Sequence, residues 1–237
     1  MVGIFMTTYN MLAMTRLAVK SLQDSLVGYP YHLLIMDHRS TDGTKEWAEA
    51  EGIAYLADAH ENSLAAALNQ AVHYFIDGNF PGIEFISFVH NDMTFYPGWL
   101  ESIVRFSHDT GIKGKISSEN PRMMGFKKED EAGVVRKMRE TPIWTHRPGN
   151  ECPSTFSVEL FTKDGIFFDE HFLGIGGYED WDYNRVALQH GYQVVILNNS
   201  LVWHDSMGTR KHLDQSKEGQ HNASYYLQKW GDNRNVV

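Results

Sequence analysis

Apolar positions in the first hundred residues follow two alternating periods. Short apolar runs of strand length, Val2 to Met6, Tyr31 to Met36, Ile53 to Leu56 and Phe85 to Val89, are separated by segments with helical spacing. The first of these carries Leu12, Leu17, Val19 and Leu22, with Leu26 closing its face. The second is capped by Thr41 or Asp42 and runs through Trp47 to about Glu51. The third repeats Leu64, Leu68, Val72 and Phe75 and ends at Asp77-Gly78. Strand and helix in strict alternation predict right-handed crossovers and a parallel sheet covered by helices, an α/β fold.

The strand runs stop abruptly at polar residues: Thr7-Thr8-Tyr9-Asn10, Asp37-His38-Arg39-Ser40 and His90-Asn91-Asp92, the last followed by Pro97-Gly98, which opens another helix. Open α/β sheets bind ligands beyond such carboxyl ends. Asp92 there suits a hard cation, Mg²⁺ or Mn²⁺, which takes oxygen ligands and shares them with a diphosphate. Tyr9 offers a ring to the face of a nucleobase, and Asp37 an acceptor for an N–H on its edge. Each also reads as ordinary structure, Tyr9 as a half-buried aromatic and Asp37 as a carboxylate bonding its own turn. No G-x-x-x-x-G-K-[ST] or G-x-G-x-x-G follows the first strand, which excludes P-loop and dinucleotide-dependent enzymes.

Beyond about residue 110 the pattern changes. Lys113, Lys115, Arg122, Lys127, Lys128, Arg136, Lys137, Arg139 and Arg147 concentrate before Cys152, and Val134, Val135 and Met138 predict an amphipathic helix near Glu129–Glu140. The simpler reading of this region is a solvated surface helix with loops. The sharper one is an acceptor-binding insertion, with Trp144 stacking on a sugar. Phe156 to Phe161 alternates as a strand. Gly174, Gly176 and Gly177 then lead into a helix carrying Glu179, Asp180, Trp181 and Asp182, which runs to about Gln189. The acids complement the helix dipole, but that does not account for the glycine loop or for Trp181 among them. Short strands Tyr192 to Leu197 and Leu201 to Trp203 end in His204-Asp205. A terminal helix carries Tyr225, Tyr226, Leu227 and Trp230, and Ser206 to Gln220 reads as a lid.

With 237 residues, 42% of them hydrophobic, the chain can bury a core unaided. A formal charge of −9 argues against a general nucleic-acid binder and gives an anionic ligand need of a cation. The single cysteine, Cys152, excludes an intramolecular disulfide; with no basic n-region and no apolar run of spanning length, the expectation is a cytoplasmic protein. Peripheral membrane association stays open.

Four segments in order carry a resemblance: Met6-Thr7-Thr8-Tyr9-Asn10, Met36-Asp37-His38-Arg39-Ser40-Thr41-Asp42-Gly43-Thr44, Asn62-Ser63-Leu64-Ala65-Ala66-Ala67-Leu68-Asn69-Gln70, and His90-Asn91-Asp92 with Pro97-Gly98-Trp99-Leu100. Together they resemble family 2 glycosyltransferases of the GT-A fold. The resemblance implies one domain, with a nucleotide-sugar-binding half over residues 1–100 and an acceptor-binding half over 101–237. It implies an inverting, metal-dependent transfer from a nucleotide-diphosphate sugar, UDP- or dTDP-linked by preference, to a glycan or lipid-linked glycan. Thr7, Tyr9, Asp37, Asn69, Asn91 and Asp92 would bind the donor, Asp92 and His204 the metal, and Trp181 and Trp144 the acceptor. Inversion needs a carboxylate to take the acceptor proton; the Glu-Asp motif assigns Asp180, with Glu179 as the fallback. The metal motif keeps only its final carboxylate, and His38-Arg39 stands where the family carries Asp-Gly. The alternatives are a catalytically inactive nucleotide- or glycan-binding module of the same fold, a nucleotidyltransferase, and a transferase acting on modified DNA.

Overall fold

Strand β1 (Val2–Thr8) is buried along its whole length in the computed structural model, which describes residues 1–59, 63–174, 177–205 and 216–232. It pairs in parallel with β2 (Tyr31–Asp37) on one side and β4 (Phe85–His90) on the other, and β3 (Ala54–Ala57) continues the parallel set beyond β2. The order across the sheet is β3-β2-β1-β4-β8-β6-β9-β5, with β7 alongside β9. Beyond β4 the pairing turns antiparallel, to β8 (Ser154–Ser157) and from there to β6 (Gly114–Glu119), which runs parallel to β9 (Gln193–His204). β5 (Met93–Phe95) and β7 (His146–Pro148) both lie antiparallel to β9.

Alternate side chains of each strand face opposite ways and fill two apolar layers. Val2, Ile4 and Met6 join the layer under α1 (Leu12–Ser25), α2 (Thr44–Ala50), α4 (Trp99–Thr110) and α5 (Glu131–Glu140). Phe5 stacks on Phe88, with ring centroids 5.3 Å apart, in the layer under α3 (Leu64–Ile76), α6 (Glu159–Thr162) and α7 (Glu179–Gln189). Gly3 is required by close approach: a Cβ there would lie 2.8 Å from the Phe75 ring. Ser63 starts α3 by accepting from Ala66 N at 3.2 Å, and Asp42 ties the entrance of α2 by accepting from Thr44 Oγ1 at 2.6 Å.

Several elements differ from the sequence pattern. Leu17 is 71% exposed, and α1 buries Ala18, Val19 and Leu22 instead. The Phe156–Phe161 run is a four-residue strand followed by a helical turn, which still delivers both rings to one layer. The two short strands ending at His204 are one, β9. The polar Asn198-Asn199-Ser200 passes through it where the register against β6 shifts between Ser118 and Glu119. The basic region holds a core strand, β6, together with α5 near the expected position. The terminal helix α8 (Ser216–Trp230) packs back with Tyr226 fully buried. Most of the expected lid, residues 206–215, and Asn62 and Gly176 of the quoted motifs lie outside the described residues. Among the described residues no helix is long and apolar enough to cross a membrane.

Candidate active site

A cleft of about 370 Å³ opens at the carboxyl ends of β1 and β4. Thr7, Thr8, Tyr9 and His38 line one wall. His90, Asn91, Asp92 and His204 line the centre, and Lys115, Asn150, Glu151, Cys152, Glu179 and Asp180 line the far wall.

On the first wall, Tyr9 is 37% exposed, so its ring is available to a ligand. Thr7 Oγ1 lies 3.1 Å from His90 Nδ1. The Asn91 amide donates to Thr8 Oγ1 and Thr15 Oγ1, each at 3.1 Å, which pins the ends of β1 and β4 to helix α1. Asp37, expected to accept from a nucleobase, is fully buried and does not line the cleft. Arg39 adopts a left-handed conformation (φ 62°), and the turn it makes closes Ser40 back on Asp37. Asp37 accepts from Ser40 N at 3.0 Å, from the Ser40 hydroxyl and from Tyr55 OH at 2.6 Å. Burial, reinforced by the hydrogen bond to this carboxylate, pushes the Tyr55 phenol well up. The cleft wall is taken instead by the next residue, His38, whose Nδ1 lies 2.9 Å from Asp58 Oδ2. Asn69 is also placed off the cleft: it donates to Phe168 O at 2.9 Å and Glu170 Oε1 at 2.8 Å and accepts from Phe168 N at 2.9 Å, clamping the segment before α7.

At the centre, the antiparallel pairing of β5 with β9 sets Met93 opposite His204. Asp92 is thereby brought beside that histidine, with His204 Nε2 3.2 Å from Asp92 Oδ1. Asp205 N donates to Asp92 O at 3.1 Å, and Asn120 Nδ2 donates to His204 O at 3.0 Å, so both residues are held by their backbone. The His90 and His204 rings stack at 5.4 Å. One carboxylate oxygen and one imidazole nitrogen suit Mn²⁺ better than Mg²⁺, which takes oxygen ligands, when further positions are filled by oxygens from a ligand or water. Among the described residues there is no group of three or more such side chains.

The far wall is built on the first turn of α7, entered through Tyr178 in a left-handed conformation (φ 78°). Glu179 is buried and accepts from Gly177 N at 2.5 Å, bracing the entry to α7. Asp180 faces the cleft, accepting from Asn150 Nδ2 at 2.7 Å and from Trp181 N at 2.9 Å. Asp182 accepts from Trp230 Nε1 at 2.8 Å and from Lys229, fastening α8. Trp181 packs edge-on against Tyr178 and Tyr226 and does not line the cleft. Trp144 is 66% exposed and likewise lies outside the cleft wall.

Four residues of this wall escaped the sequence reading as site residues: Lys115, Asn150, Glu151 and Cys152. The Lys115 ammonium is buried and donates to Asn184 Oδ1 at 3.0 Å; desolvation draws its pKa down, opposed by Asp180, Cys152 and Glu179. Burial raises the Glu151 carboxyl, and Glu119 adds to this, against Arg147 and His204. Burial pushes the Cys152 thiol well up, with Lys115 opposing, so it is no nucleophile. The signal for Lys115 was its place in the short Lys115-Ile116-Ser117-Ser118 run, masked by the basic residues around it.

The family model for glycosyl transferase family 2 matches residues 3–139. No curated protein sequence matches the chain. Among solved structures, the chain is similar to the mannosyltransferase PcManGT from Pyrobaculum calidifontis, in complex with GDP-Man and Mn²⁺. That similarity has 18% identity and a TM-score of 0.65, over 99% of this chain and 65% of that one. The chain thus spans less than two thirds of that mannosyltransferase. It is also similar to glucosyl-3-phosphoglycerate synthase from Mycobacterium tuberculosis, in complex with Mn²⁺, UDP and glucosyl-3-phosphoglycerate (14% identity, TM-score 0.61, 100% of this chain and 82% of that one). A third similarity is to S. aureus TarS residues 1–349 (14% identity, TM-score 0.60, 99% and 73%). At these identities the likeness establishes the GT-A fold.

Proposed function

The chain belongs to glycosyl transferase family 2, and from that premise we propose an inverting enzyme that moves a sugar from a nucleotide-diphosphate donor to a hydroxyl of a glycan or other acceptor. The observation that carries this reading is the Asp92–His204 pair at the centre of a cleft whose far wall presents Asp180. The Mn²⁺ and nucleotide ligands of the Pyrobaculum and mycobacterial enzymes support a divalent cation and a nucleotide donor here.

In this reading residues 1–100 form the donor half and 101–237 the acceptor half, and the metal pair joins them, one residue from each. Tyr9 covers the base face, with Thr7, Thr8 and His38 beside it. Asp37 acts on this wall only through its turn, so it gives no ground for preferring a pyrimidine. Asp92 and His204 would hold the divalent cation, which when bound neutralises charge on the departing diphosphate. Asp180, held by Asn150, takes the proton of the acceptor hydroxyl as that oxygen attacks the anomeric carbon. Glu179 braces the entry to α7.

Calorimetric titration with UDP, dTDP and GDP, each with Mn²⁺ and with EDTA, tests the donor site in wild type, Asp92→Ala and His204→Ala. The expected result is Mn²⁺-dependent binding of one nucleotide, lost in both variants. Absence of binding for all three nucleotides in wild type would overturn the assignment.

A further inference from the structure

Lys115 is 2% exposed and forms part of the cleft wall. Lysine is almost never buried so completely without a partner of opposite charge, yet its hydrogen bond runs to a neutral group, Asn184 Oδ1 at 3.0 Å. Strand register sends it there: Lys115 pairs with Phe156 of β8 and Val194 of β9, and its ammonium passes 5.8 Å from the Phe156 ring centroid to reach α7. Asn184 and Asp180 are four residues apart in α7, so they lie one turn apart on the same face. The ammonium therefore sits close to the turn that carries Glu179 and Asp180.

The titratable groups acting on Lys115 are Asp180 and Glu179 from α7 and Cys152 from the facing loop. Asp180 is met from that loop by the neutral Asn150 amide. The same cleft holds Asp92 and Glu151. A carboxylate that shares a cleft with other carboxylates is favoured in its charged form by a buried cation held beside it. A protonated Asp180 is unable to accept a proton from an incoming hydroxyl.

We propose that Lys115 is a positioning residue for the transfer reaction: its buried ammonium is the fixed counter-charge that keeps Asp180 ionised, and its bond to Asn184 ties that charge to the helix on which Asp180 rides. This rests on Asp180 being the base. The coupling is mutual, so Asp180 keeps Lys115 charged against the pull of desolvation to the same extent.

The test is NMR titration of the full chain with ¹³C-labelled aspartate carboxylates and lysine side chains. Asp180 is assigned by the loss of its signal in Asp180→Asn. In Lys115→Met the Asp180 midpoint is expected to rise by about one pH unit or more, while Lys115→Arg keeps it close to wild type. In Asp180→Asn the Lys115 midpoint is expected to fall by the same amount. That reciprocal measurement decides the matter if Lys115→Met fails to fold. An unmoved Asp180 midpoint, or a Lys115 that is uncharged at neutral pH in wild type, would overturn the proposal. Turnover retained in Asp180→Asn would instead overturn the base assignment and leave the measured coupling standing, so the two failures are distinguishable.

Discussion

The two walls of the cleft are made differently. The first wall grows from consecutive strand ends, and its motif residues are largely engaged in holding those ends together. Asn91 pins β4 to β1 and α1, and Asp37 closes its own turn and binds Tyr55. The far wall is assembled from pieces far apart in the chain: Lys115 from β6, Asn150 from a loop and Asp180 from α7. Asn91 and Asp37 are taken up by the frame, while Lys115, Asn150 and Asp180 all line the cleft itself. A motif residue is thus not automatically a contact residue; burial and existing partners decide.

The sharpest break of this contrast is Asp180→Asn. Loss of a positioned proton acceptor is expected to lower turnover by roughly 10²–10⁴-fold while calorimetric donor affinity stays at the wild-type value. Asp92→Ala reverses the pattern. Mn²⁺-dependent donor affinity should fall by at least the roughly 10–100-fold that removal of an outer-shell metal partner costs, with the melting temperature of the free protein little changed.

Tyr55→Phe probes the frame. It leaves the buried Asp37 carboxylate short of one donor and should cost about 1–3 kcal/mol in denaturant unfolding, without altering donor affinity. Reduced donor affinity at unchanged stability would make Asp37 a ligand contact after all. Gly3→Ala, far from either wall, forces a methyl against the Phe75 ring and is expected to cost about 1–3 kcal/mol, again measured by denaturant unfolding.

The smallest effect concerns pH. Burial raises the Asp169 carboxyl, but hydrogen bonds from Lys229, from the His171 backbone and ring and from Tyr225 outweigh it and hold the pKa well below the usual range. Its folded pKa is depressed, so its contribution to docking α8 is complete above the unfolded value of about 3.9. That contribution is lost as pH falls below it. Melting temperatures of wild type and Asp169→Asn should therefore differ at neutral pH, begin to approach each other below about pH 4 and meet only as pH nears the depressed folded value.

Much of the fold of residues 1–100 was legible in the sequence because its signals are local: apolar runs of strand length, helical spacing and polar strand ends within single segments. The central pair was legible by resemblance, which placed Asp92 and His204 together although they are far apart in the chain. The far wall was not, for a physical reason. Whether Lys115 is a surface or a buried residue depends on β8 and β9 flanking it, and nothing within its own segment states that. Asn198-Asn199-Ser200 misled in the same way: it reads as a chain break, but the bulge carries it through a continuous strand. Leu17 shows the opposite error, an apolar residue at nearly the right spacing that no partner covers.

Strand β9 pairs with β5, β6 and β7, all of which precede it, and it ends in His204. During synthesis the parallel strands β1 to β4 emerge long before it does. The Asp92–His204 pair therefore cannot form on a nascent chain whose parallel strands have already paired. Contacts of such long sequence separation form late and slowly, so acquisition of donor binding in a refolding experiment should report the docking of this one strand rather than the collapse of the sheet that precedes it.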